Sequence, residues 1–151
     1  MTSTSADPKP TDIQKNIAAG NFLDALRDID RLLAIDPDHP EGLYMAAVCY
    51  RYTKQYDKAQ ICLDSLKSTA YDRGRVYQEQ GHLHVAQSQP QQALAAFANA
   101  CQLNPVLLAS WRSQHLILQG MNRPVEAQQA MAQVERLQAL PKVLVAVTDL
   151  M

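Results

Sequence analysis

The sequence has little with which to build a cross-link or a metal site. Cys49, Cys62 and Cys101 are odd in number and show no CxxC spacing, which argues against a disulfide framework and a zinc ribbon and fits a reducing cytoplasm. An excess of charge of one sign is missing too. Fourteen Lys and Arg stand against fifteen Asp and Glu, for a net charge of -1, so no broad field exists to gather nucleic acid or an anionic membrane surface. No run of about 18 apolar residues occurs, as a membrane span would need. Met1 to Pro10 is rich in Ser, Thr and Pro where a secretory signal would be apolar, and reads as a disordered tail. With 47% apolar residues the remainder is expected to bury a continuous core without staples.

What is present is an internal repeat. Ala25, Ala59, Ala93 and Ala127 follow one another at a constant step of 34 residues, each inside an amphipathic stretch. Ile29, Leu63, Phe97 and Met131 keep the same step, as do Leu32, Leu66, Ala100 and Val134. Within a unit the apolar residues recur at helical spacing, for example Leu43, Ala46, Ala47 and Tyr50, then Ala59, Leu63 and Leu66 after a break at Lys54-Gln55. Each unit is therefore expected to be a helical hairpin. Gly20-Asn21 punctuates the first pair, Pro90 and Pro124 open second helices, and Pro37 and Pro105 follow their ends.

This pattern resembles the tetratricopeptide repeat, over roughly residues 11 to 151 and most completely in Gly20 to Pro37 and Leu108 to Ala127. The resemblance implies an all-α fold, a right-handed α-solenoid of antiparallel helical hairpins with about four repeats and one terminal helix. The expected organisation is a tail over 1–10, units over about 11–39, 40–73, 74–107 and 108–140, and a terminal helix over 141–151. Ala25, Ala59, Ala93, Ala127 and Gly81 are expected to let paired helices approach closely. Tyr71 and Ala139 stand where the family pattern expects proline.

Tyr71 to Trp111, with LQALPKVLVAVTDLM after it, is similar to a bacterial group that joins an N-terminal repeat array to a C-terminal sulfotransferase domain. Gly74-Arg75, Gly81-His82, Asn104-Pro105, Ser110-Trp111 and Leu140-Pro141 carry that likeness. It implies a longer parent protein whose catalytic domain lies beyond residue 151, since no Gly-rich phosphate loop with a lysine is present here. The apolar stripe Val143, Leu144, Val147 and Leu150 suits an internal helix better than a cap, and would also serve to pair two chains in a homodimer. The alternatives are a free-standing adaptor and a secretion-type tetratricopeptide chaperone.

The first helix of each hairpin lines the concave face of such an array, where extended peptides or partner helices are held. Leaving aside core-facing residues, the groove candidates are Glu41, Tyr44, Val48, Arg51 and Tyr52 in the second unit. Arg75, Gln78, His82 and Val85 follow in the third, and Arg112, Leu116 and Gln119 in the fourth. An apolar floor with three arginines and a histidine suits a peptide bearing a carboxylate and an apolar side chain. The asparagines of the co-chaperone clamp for acidic C-terminal tails are replaced by Val48 and His82, so that ligand class is not expected.

No residues point to catalysis, a cofactor or a metal. His82 and His84 lie about 200° apart around a helix and have no helical-spaced acidic or cysteine partner. His84 and His115 read as half-buried histidines bonded to neighbours, and the three cysteines as small hydrophobes. Asp28-Asp30 and Asp36-Asp38 fit exposed faces and helix ends, away from any cleft. Trp111 reads as an aromatic wedge between hairpins.

Overall fold

The computed structural model describes residues 7–140, and all regular secondary structure among them is helical. Eight helices follow in order: α1 Pro10–Ala18, α2 Phe22–Ile35, α3 Pro40–Tyr52, α4 Tyr56–Leu66, α5 Arg73–Ala86, α6 Pro90–Leu103, α7 Leu108–Gly120 and α8 Pro124–Gln138. Proline occupies the first position of α1, α3, α6 and α8, where its missing N–H costs no bond and its fixed φ already suits the helix. The expected terminal helix over 141–151, and the dimer contact assigned to it, lie outside the described residues.

A second periodic feature sits in the turns. Gly20, Lys54, Ser88 and Asn122, again 34 residues apart, all have positive φ, between 58° and 80°. Each ends the first helix of its hairpin in the same way. The N–H of the following residue reaches back five positions, as Asn21 does to Asn16, Gln55 to Tyr50, Gln89 to His84 and Arg123 to Leu118, at 2.7–2.9 Å. The positive-φ residue itself donates three positions back. These two bonds are the Schellman arrangement that satisfies the last carbonyls of a helix.

The chain divides into two compact units at Tyr71 and Asp72. In the first, α1 packs on α2 and α3, α2 on α3, and α3 on α4. Its core is made of Ile13, Ala25, Ile29, Leu32, Ala46, Ala47, Cys49, Ala59, Leu63 and Leu66. In the second, α5 packs on α6, α6 on α7, and α7 on α8, around Leu83, Ala93, Phe97, Ala100, Leu107, Ala127, Val134 and Leu137. The alanine series and the series Leu32, Leu66, Ala100 and Val134 are buried throughout, and Met131 is the one half-buried member of the third.

Gly81 shows why small residues lie on this seam. A Cβ built there would stand 2.7–2.8 Å from three atoms of the Phe97 ring, closer than atoms can pack. Trp111 wedges as expected. It packs against both the Leu108, Val134, Leu137 cluster and the Leu118, Ala127, Ala130 cluster, and its indole N–H donates to the Pro105 carbonyl at 2.8 Å.

Candidate functional site

In the first unit the candidate face belongs to α3. Glu41, in its first turn, accepts from Gln14 Nε2 at 3.1 Å and from the Tyr71 hydroxyl at 3.2 Å. The Tyr71 ring stacks on Tyr44 with centroids 5.3 Å apart. At the other end of α3, Tyr52 lies parallel to Phe22 at 4.6 Å, and the Arg51 guanidinium sits over the Tyr52 ring at 4.4 Å. Such stacked and cation–π contacts fix side chains at a surface without burying them. Tyr52 keeps 55% of its surface exposed, while Glu41, Tyr44, Val48 and Arg51 are half-buried. Gln14, Phe22 and Tyr71 thus join a face for which the sequence suggested only α3. The 34-residue step from Gln14 to Val48 marks Gln14; nothing in the periodicity marks Tyr71.

In the second unit the structure corrects two assignments. Arg75 and Gln78, expected to face an open groove, are buried. Gln78 Oε1 accepts from the hydroxyl of Ser110 at 2.6 Å, and Ser110 is fully enclosed. The physical reason at Gln78 is that Ser110 of α7 reaches across to α5 here, so that the amide is used in a buried contact between the two helices. Glu79 and Gln80 are buried as well, and α5 has no plain polar face to separate groove from core. His82 is half-buried and sets its ring edgewise against Phe97 at 5.0 Å. Val85 is 49% exposed at the open end of the helix.

The stripe on α7 is open. Arg112, Leu116 and Gln119 are all exposed, with Leu116 at 61%. Arg112 has no ion pair or hydrogen bond among the described residues. By contrast, Arg27 pairs with Asp24 and Arg31 with Asp28 on α2, and Arg123 with Glu126 at the start of α8.

The two histidines read as bonded to neighbours have such partners. His84 Nδ1 lies 2.7 Å from Gln89 Oε1, and His115 Nδ1 lies 2.9 Å from the Ala127 carbonyl oxygen. Cys49, Cys62 and Cys101 are free and buried. Burial, reinforced by Asp30, pushes the Cys62 thiol up to about 11; burial pushes Cys101 up to about 12, against the opposing effect of the Gln114 amide that donates to its sulfur at 3.2 Å. Neither thiol offers a thiolate near neutral pH. Among the described residues no group of His, Cys, Asp and Glu could hold a metal ion, and no helix is long and apolar enough to cross a membrane.

Residues 16–80 match the tetratricopeptide repeat family model. That stretch is therefore similar to tetratricopeptide repeats. The same fold extends over most of the chain, because solved repeat structures superpose well beyond it. MamA from residue 41 to its end, of Desulfovibrio magneticus RS-1, matches with a TM-score of 0.69 at 18% identity, over 87% of this chain and 76% of that one. A second MamA structure matches with a TM-score of 0.67 at 22% identity, over 85% and 71%. YrrB, described as a tetratricopeptide protein with an unusual peptide-binding site, matches with a TM-score of 0.62 at 20% identity, over 83% and 64%. These likenesses carry the fold. No curated protein matches the sequence.

Proposed function

We propose that this chain is a protein-interaction module that holds a peptide or partner segment against the first helices of its hairpins, and performs no chemistry itself. The observation that carries the reading is the α7 stripe, where a charge without a partner among the described residues and an exposed leucine lie one turn apart on a helix that a repeat array turns toward its ligand. The half-buried aromatic cluster of α3 supports it with rigid contact area held at low entropic cost. YrrB, which shares the fold, is described as having a peptide-binding site. Glu41, Tyr44, Val48, Arg51, Tyr52, His82, Arg112, Leu116 and Gln119 remain the contact residues of the proposal; Arg75 and Gln78 act beneath the surface. Panning a random peptide library on the whole chain tests it. Selected peptides should lose affinity to Leu116→Glu, and a library that yields no binder contradicts the reading.

We further place the module next to a sulfotransferase domain in a longer protein, on the likeness of Tyr71 to Trp111 and of Leu140-Pro141. Much of that signature has a packing role here. A Cβ on Gly74 would meet Asn104 and Leu107, Gly81 lies under Phe97, Ser110 bonds Gln78 and Trp111 bonds Pro105. The support therefore rests on the resemblance itself, and the coding sequence after residue 151 decides it. A downstream phosphate loop supports the fusion, and a stop codon there leaves an adaptor or chaperone. The buried free thiols fit the reducing cytoplasm that this reading assumes.

A further inference from the structure

Among the described residues, α3 is the one helix of the first unit whose N-terminus is capped by a side chain, and the cap is a histidine. His39 Nδ1 accepts from the Gly42 N–H at 3.0 Å, which satisfies one of the donors that a helix start leaves over. Asp72 plays the same part for α5 with a carboxylate, an acceptor that does not depend on a ring proton. An imidazole accepts at Nδ1 only while it is neutral and carries its proton on Nε2. The turn held by this cap is tightly fitted. A Cβ on Gly42 would stand 3.0 and 3.2 Å from Leu33 and Leu32 of α2 and 3.5 Å from His39 Nδ1. The same turn carries Glu41, which takes Gln14 of α1 on one oxygen and the Tyr71 hydroxyl on the other. Helix α1 has little else to hold it, because Ile13 is its one buried residue.

A second proton on the ring turns Nδ1 into a donor that faces another donor. It also sets a positive charge against the positive end of the α3 dipole. The charges that surround His39 do not replace the lost acceptor. Asp36 and Asp38, on either side of the turn, are exposed, so water and salt weaken their attraction for the imidazolium. Glu41 is engaged by Gln14 and Tyr71. Helix α2 spends Arg27 and Arg31 on Asp24 and Asp28, the end of α4 pairs Lys67 with Asp64, and Asp12 and Lys15 of α1 are exposed. We propose that His39 is an acid-sensitive latch, whose protonation uncaps α3, loosens the Glu41 clasp and releases α1 and Tyr71 from the candidate face of the first unit. The stabilisation from the cap is present while the ring is neutral and is lost as the pH falls. As a control on partner binding the latch rests on the binding-module reading; as a movement of the free chain it does not.

The test titrates the full isotope-labelled chain from pH ~7.5 to ~5, the range in which an imidazole gains its proton and above that in which carboxylates ordinarily do. The Gly42 backbone amide and the Gln14 side-chain amide should both shift in step with the His39 ring. Protection of the α1 and first-turn α3 amides, corrected for intrinsic exchange, should fall about fivefold, the factor that one N-cap is worth. His39→Asn keeps an acceptor that does not titrate, and should hold that protection at both ends of the range. His39→Ala should lack it at both. His82, His84 and His115 are present in every variant, so the differences belong to His39. If the Gly42 amide ignores the His39 titration, or if His39→Asn loses protection in acid as the parent does, the latch falls. A Gly42 shift that leaves the Gln14 amide unmoved would mean a fraying helix end with the clasp intact, and would also overturn it. These measurements need no ligand, so a peptide library without binders would defeat the module reading and leave the latch standing.

Discussion

Gly81 lies where a single added methyl group would enter the Phe97 ring, and both residues are buried in the seam between α5 and α6. Gly81→Ala should therefore destabilise the second unit by about 1–3 kcal/mol, the usual cost of overpacking. Combining it with Phe97→Leu should recover part of the loss in a double-mutant cycle read by urea unfolding. The cysteines make a second residue-scale prediction. Unfolded thiols release their protons near the ordinary 9.0, whereas folded Cys62 and Cys101 hold theirs to about 11 and 12. Above pH ~9 the unfolded chain binds fewer protons than the folded one, so stability falls as pH rises. The urea midpoint should decline between pH 9 and 11, and the pair Cys62→Ala and Cys101→Ala should flatten that decline. Inert thiols and the packing role of Gly81 were both legible in the sequence, because burial follows from the 34-residue register. The pairing of Tyr71 with Glu41 and Tyr44 was not, since a residue in a turn has no periodic constraint to reveal which way it faces.

At the scale of the element, the four hairpins share one turn but not one turn residue. Gly20 accepts positive φ at no steric cost and Asn122 tolerates it, while Lys54 and Ser88 adopt it under strain. Lys54→Gly and Ser88→Gly should each stabilise the chain by roughly 0.5–1 kcal/mol, the relieved strain exceeding the added freedom of the unfolded state. A thermal melt of each variant checks this, and a lower melting temperature would contradict it. The breaks at Gly20-Asn21 and Lys54-Gln55 show in the sequence, yet Lys54 and Ser88 carry no compositional sign of a left-handed turn. Position in the repeat, more than residue type, sets the backbone there. Helix α5 shows the opposite limit. Its polar residues suggested an open face, but Gln78 is spent on Ser110 and Arg75 is enclosed. Polarity signals exposure only where the helix has one free side.

For the molecule as a whole, the repeat step announced an all-helical array, whereas the surface that would bind a partner was legible only in part. Arg112, Leu116 and Gln119 emerge as exposed where the register placed them. Arg75 and Gln78 do not, because helix-to-helix packing within a unit is not written in any one helix. Binding through α7 should weaken as ionic strength rises, in proportion to the share carried by the Arg112 charge. The most direct measurement of the central claim is a map of backbone amide shifts on the isotope-labelled chain as a library-selected peptide is added. The account predicts that the largest shifts in the second unit fall on α7, above all between Arg112 and Gln119. Shifts concentrated on α2, α4, α6 or α8 would mean that the partner is held on the opposite helices, and would contradict it.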